Sequence, residues 1–182
     1  MPFVRTRNQL IKTGQVISYV SGDDGELKKG WSGNPRFIQK VRNGDTIVLD
    51  LATGLTWPQS EYVLYDLDER FQYSTYADCQ LALATLNNAK FAGYSDWRFP
   101  NFYELMSIID FSSTVGYPSK KCYSVITPKC YASGITDYWW SSTTVPNSPT
   151  SNFVYANQIG VLQIFIARLL RSLPATLLPC RG

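Results

Sequence analysis

The chain contains no histidine. That absence removes Ser-His-Asp and Cys-His nucleophilic sites, imidazole-ligated metals and the usual general base at neutral pH. A CxxC pair is missing too, as is a glycine-rich phosphate loop ahead of a helix. Carboxylates cluster as Asp23-Asp24 and as Asp66, Asp68 and Glu69, but in polar stretches with no apolar setting to raise one pKa into the range of an acid catalyst. SGDDGE opens like a calcium loop, lacks the spaced later ligands and the closing glutamate, and reads as a turn. From this inventory we expect no enzymatic activity, no metal and no cofactor.

Long apolar runs are also missing, so no membrane insertion is expected. MPFVRTRNQLIKTG has no secretory h-region, which leaves a leader removed before residue 1 or export within a particle. Acidic residues stop at Asp137, and from Tyr138 to Gly182 the only charged side chains are Arg168, Arg171 and Arg181. The whole chain carries 17 Lys+Arg against 14 Asp+Glu, and +3 is too small to argue for a nucleic-acid partner.

What is present describes a folded domain. A hydrophobic content of 45% with 17% charge is globular, and 182 residues can enclose a sizeable core. Aromatics at 14%, led by tyrosine, suit a β-rich core or a recognition surface. Cys79, Cys122, Cys130 and Cys180 permit three disulfide pairings, or four buried free thiols.

Residues 1–42 are rich in turn formers, as in SGDDGELKKG and WSGNPRF, and read as an irregular N-terminal arm with one short strand at Gln15–Val20. Residues 43–182 form the domain proper. DTIVLDLATGLTWP predicts strands at Thr46–Asp50 and Leu55–Trp57 around a turn at Ala52-Thr53-Gly54. STYADCQLALATLNNAK predicts a helix capped by Ser74 or Thr75, with Tyr76, Cys79, Leu83 and Leu86 on one face and an end at Asn87-Asn88. NFYELMSIID predicts a second, with Asn101 as N-cap, Glu104 completing a capping box, and Phe102, Leu105, Met106 and Ile109 buried. Short strands and loops follow, so the fold class expected is α+β with a small sheet.

GYSDWRFPN, FYELMSIID and DYWWSSTT together resemble the C-terminal domain family of the Lcl collagen-like adhesin. Softer matches at KTGQ, SYVSGDDG, NPRF and DLATGLTW extend the likeness over Ile11 to Gly182. The resemblance implies a C-type-lectin-like fold: two helices, a small twisted antiparallel sheet and long loops forming a binding face. It implies that Trp97 and Trp139 are core aromatics and that Asp96 and Arg98 form a charge pair or turn lock. It also implies a Cys79–Cys180 bridge from first helix to last strand, worth about 4–5 kcal/mol by loop entropy, with Cys122–Cys130 pinning KCYSVITPKC. Sugar-binding lectins of that fold hold calcium with Glu-Pro-Asn motifs; here Val145-Pro146-Asn147 lacks the acid, which argues against that mode.

The tail QIFIARLLRSLPATLLPCRG is the unusual part. Leu162, Phe165, Ile166, Leu169, Leu170 and Leu173 fall at helical spacing beyond strand-like YWWSSTT and NFVYANQIG. A buried strand or a short amphipathic helix would account for it. The resemblance offers another reading. In one branch of lectin-like proteins a diversity-generating retroelement rewrites this region at adenines, which yields no Lys, Glu, Gln, Trp or Met, and none of these occurs in Ile164–Leu178. On that reading residues 157–178 are variable, and Ile159, Ile164, Phe165, Ile166, Leu169, Leu170, Ser172, Leu173, Ala175 and Leu177 form a ligand-binding surface, with Arg168 and Arg171 as polar anchors.

The expected function is a non-enzymatic receptor or adhesin module that binds a protein or glycan ligand, outside the cell or on a virion or cell surface. A plain adhesin domain that holds acidic polysaccharide through its acid-free half is the next reading. A formylglycine-generating-like enzyme is the third, since that fold is shared, and it would need two accessible cysteines close together.

Overall fold

A computed structural model describes residues 10–59, 64, 67–71, 74–109, 137–157 and 164–182. The protein is α+β, and the described residues form two three-stranded antiparallel sheets and short helices. The first sheet takes the order β1 (Phe37–Arg42), β2 (Asp45–Asp50), β3 (Thr56–Pro58). β1 and β2 meet at Asn43-Gly44, both at positive φ, the backbone a two-residue hairpin needs to match strand twist. β1 lies within the stretch expected to be an irregular arm, so the arm's last six residues are part of the domain's sheet. The strand expected at Gln15–Val20 does not form. There the Asp23 carboxylate accepts from the Tyr19 and Val20 amides and bends the chain, and Asp23 then caps α1 (Asp24–Leu27). SGDDGE is thus a turn, closed by its own Asp23, that runs into α1.

Both predicted helices form. α2 (Tyr76–Asn88) is capped by the Thr75 hydroxyl and buries Cys79, Ala82 and Leu86, with Leu83 half-buried beside them. Asn87 does more than end it. Its side-chain amide donates to the Trp97 carbonyl and accepts from the Trp97 N–H, each at 2.9 Å, so α2 fixes the DWRFP segment directly. α3 (Phe102–Ser107) starts with the full Asn101–Glu104 capping box. Leu105 and Ile109 are buried, while Phe102 and Met106 are only half-buried. Glu104 also takes a two-pronged ion pair from Arg98, 2.8 Å on each side. Asp96 turns instead to Arg181, so the two charges of DWR lock different partners rather than each other.

The second sheet is β4 (Asp137–Val145), β5 (Ser148–Asn157) and β6 (Ile164–Leu170). The tail is therefore strand, and its helical spacing is incidental. Arg168 is exposed, Leu169 buried and Leu170 exposed, the alternation of a pleated strand.

After β6 the chain becomes a seam between distant parts. Ala175 exchanges backbone hydrogen bonds with Ser74, Thr176 bridges Tyr138 and Trp140, Leu177 donates to Phe71, Cys180 pairs with Arg98, and Arg181 pairs with Thr56. Leu177 joins the main core around Trp97, Trp140 and Phe71, while Leu178 and Cys180 join a second cluster with Trp57 and Val48. Trp139 sits in a third with Leu105 and Ile109.

The Cys79–Cys180 bridge is not present: both are free, buried thiols. Cys79 belongs to the main core, its Sγ facing the carbonyls of Arg70, Ser74 and Ala175, and Cys180 to the second cluster, so the two occupy different cores. Cys122 and Cys130 lie outside the described residues. Burial pushes the Cys79 and Cys180 thiols up to about 12, which suppresses the reactive thiolate. Neither should react with Ellman's reagent in the native protein, and both should appear on denaturation without reductant. Peptide mapping that recovers them as a disulfide would contradict the fold.

Candidate binding surface

The β4–β6 sheet has two unlike faces. Asn152, Val154 and Leu169 point inward. Asn152 is fully buried and satisfied, donating to the Ser141 carbonyl at 2.6 Å and accepting from Arg171 Nε at 2.7 Å. Arg171 is held further by Tyr76, whose ring lies 5.0 Å from the guanidinium carbon, and by backbone bonds to Thr150 and Tyr76. Burial raises the Tyr76 phenol above its ordinary pKa. Arg171 is therefore a clamp on the β5–β6 hairpin.

The outer face runs the other way. Phe153 pairs across the strands with Arg168, and Leu170 is its diagonal neighbour on the same face. Phe153 leans on Phe102 of α3, with ring centroids 6.3 Å apart, and Phe102 touches Tyr103 at 6.1 Å. Tyr103 is 84% exposed, Leu170 49% and Leu173 45%. A continuous strip thus runs Tyr103, Phe102, Phe153, Arg168, Leu170, and Leu173 lies on the turn that closes onto the Leu170 carbonyl. Aromatic rings beside an arginine are the residue types that dominate recognition surfaces, because they combine area with few torsions to freeze.

The strip stands on rigid supports. The Arg98 guanidinium beside Glu104 holds that carboxyl below the usual range, and Glu104 in turn caps the helix that presents Tyr103. The Phe102 N–H donates to the Thr143 hydroxyl at 3.0 Å, tying α3 to β4. Arg181 likewise keeps the Asp96 carboxyl low, closing the base of the domain.

The ten residues expected as a ligand surface divide accordingly. Leu170, Ser172 and Leu173 are exposed. Leu169, Ala175 and Leu177 are core, because Leu169 faces inward on β6 and the other two belong to the seam. These three cannot meet a partner in the folded protein. Ile164, Phe165 and Ile166 lie on the β6 backbone, and nothing is described of their side chains; Ile159 lies outside the described residues. Tyr103 and Phe153 were missed. Tyr103 was legible as the one large residue of FYELM off the apolar stripe, whereas Phe153 needed the strand register.

The family model of the Lcl C-terminal domain matches residues 46–165. The chain belongs to the Lcl C-terminal domain family. No curated protein and no solved structure matches it. The family match covers the region from β2 into β6, and the Lcl domain's closing seam lies beyond it. As a family member the protein is an adhesin-like binding module, of a kind that belongs on a surface or outside the cell. Among the described residues no helix is long and apolar enough to cross a membrane, and no group of metal-ligating side chains converges.

Proposed function

We propose that this Lcl domain is a non-enzymatic module of lectin-like fold that grips a protein or glycan on another surface with the Tyr103–Phe153–Arg168–Leu170 strip, and that the exposed positions of 168–173 set its specificity. The observation that carries this is the split within the tail: Arg168, Leu170, Ser172 and Leu173 face solvent, while Leu169, Ala175 and Leu177 hold the scaffold. Such a division lets surface identities change without touching the core, which a retroelement-diversified virion or cell-surface protein requires. The exposed apolar and aromatic composition favours a desolvating contact.

Binding of acidic polysaccharide through the acid-free half has less support. Of its three arginines, Arg171 is bonded to Asn152 and Arg181 to Asp96, which leaves Arg168 as the exposed cation. Thiol-based catalysis of the formylglycine-generating kind gains nothing from Cys79 and Cys180, buried in separate clusters.

Two measurements test the reading. Tyr103→Ala combined with Arg168→Ala should weaken adhesion to the protein's target surface by about tenfold or more with the fold intact, and unchanged adhesion would discard the strip. At the DNA level, a near-copy of the tail's coding sequence beside a reverse-transcriptase gene should differ at adenines in codons 168, 170, 172 and 173 and spare 169, 175 and 177. With no such repeat, diversification is lost and the adhesin reading stands alone.

A further inference from the structure

Six of the twelve large apolar side chains that are exposed among the described residues lie within residues 10–27, ahead of the family-matched span: Leu10, Val16, Ile17, Tyr19, Val20 and Leu27. They are not on a loose segment. The Asp23 carboxylate gathers the Tyr19 and Val20 amides, the Gln15 side chain and the Glu26 amide, at 2.7 to 3.3 Å. The Tyr19 amide foremost, with the Glu26 and Val20 amides, lowers its pKa to about 2. Gly25 packs so closely that a Cβ there would lie 2.2 Å from the Ile17 carbonyl oxygen. Residues 15–27 are therefore a fixed knob that exposes Tyr19 and Val20. An ordered apolar knob facing water gives up stabilisation that burial would supply.

Beside the knob is a cleft of about 420 Å³, lined by Gln15, Val16, Lys28, Lys29 and Trp31 among others. Knob and cleft share Gln15 and Val16, so they neighbour one another on the surface. Their charges differ: Glu26 is exposed on the knob, while the cleft is lined by Lys12, Lys28, Lys29 and Arg36 against a single acid, Asp24.

We propose that the cleft is filled by the knob of a second copy of this chain. The apolar knob, the open cleft and both charges occur on one neighbouring patch, so a two-fold axis through it seats each knob in the partner's cleft at once. Tyr19 and Val20 of one copy then cover Trp31 and the lysine stems of the other, and Glu26 approaches Lys28 and Lys29. The two adhesive strips would be carried as a pair, which strengthens attachment to a multivalent surface without new contacts.

Sedimentation equilibrium of the full chain over about 1 to 100 µM, a range that brackets micromolar dissociation constants, should return the mass of a dimer. Tyr19→Asp with Val20→Asp should weaken dimerisation at least tenfold while the thermal midpoint at low concentration stays unchanged, since both side chains are exposed. Lys28→Glu with Lys29→Glu provides an independent pair, and it should weaken the dimer too. A monomer across the range, an assembly of any other number, or a dimer indifferent to both pairs overturns the proposal.

Discussion

Ending the chain after Pro174 is expected to abolish folding of the entire domain, although only eight residues are lost and none belongs to the long strands or helices. Those residues include Ala175, Leu177, Leu178 and Cys180, all at or within 1% of complete burial. Deleting the two leucine side chains alone should cost about 2–5 kcal/mol each. The truncation also removes the backbone partners of Ser74, Phe71, Tyr138, Trp140, Arg98 and Thr56, leaving donors and acceptors unmet at six residues. The sum is on the scale of a domain's whole stability, about 5–15 kcal/mol. Circular dichroism and urea titration should show no cooperative transition for the 1–174 chain. By contrast, Leu173→Ser and Leu170→Ser, a few residues upstream, should shift stability by no more than about 0.5 kcal/mol, as exposed positions do. A truncated chain that still unfolds cooperatively would mean the seam is an accessory. The contrast matters for function, because the surface proposed for binding and the segment that closes the fold are consecutive in sequence.

That adjacency explains why the tail misled a reading of the sequence. A strand with one wet face normally alternates apolar with polar, but β6 places leucine on both faces, so its period of two is hidden and a helical spacing emerges by chance. The seam has no local signature at all. Its partners lie at Thr56, Ser74 and Arg98, far away in the chain, and a pattern within PATLLPCR cannot contain them. The helices were legible because their signals are local: Thr75 and Asn101 cap where such residues cap, and Glu104 completes its box three residues on. The Asn43-Gly44 hairpin is equally local, but FIQKVR before it exposes four of its six residues and has the pattern of a polar arm. The DWR charges show the same limit. Arg98 finds Glu104 six residues on, while Asp96 finds Arg181 across nearly half the chain. Cysteine pairing inferred from resemblance failed for the reason the seam was invisible: it depends on which core each end of the chain joins.

Replacing Asp50 with alanine is the point substitution expected to destabilise most. Asp50 ends β2, and its side chain is completely buried. One carboxylate organises a turn and a charge together. It accepts from Arg36 Nε at 2.9 Å and Nη2 at 2.7 Å, from the Ala52 amide at 3.0 Å and from the Thr53 hydroxyl at 2.9 Å. Arg36 itself is only 12% exposed and also donates to the Ser107 carbonyl at the end of α3, so the pair joins the first sheet to the helix that presents Tyr103. Removing the carboxylate strands a nearly buried guanidinium, a loss of about 3–5 kcal/mol, whereas removing both charges spares most of that desolvation cost. Asp50→Ala should therefore lower the urea midpoint far more than Arg36→Met/Asp50→Ala does, and Asp50→Asn should fall between wild type and Asp50→Ala because its amide oxygen still accepts from Ala52. If Asp50→Ala and the double variant are equally destabilised, the turn bonds and not the buried charge are what Asp50 contributes to stability. The binding readout separates the roles further. At a temperature where Asp50→Ala remains folded, loss of adhesion would show that the strip needs α3 fixed from below, since Asp50 itself is sealed from any ligand.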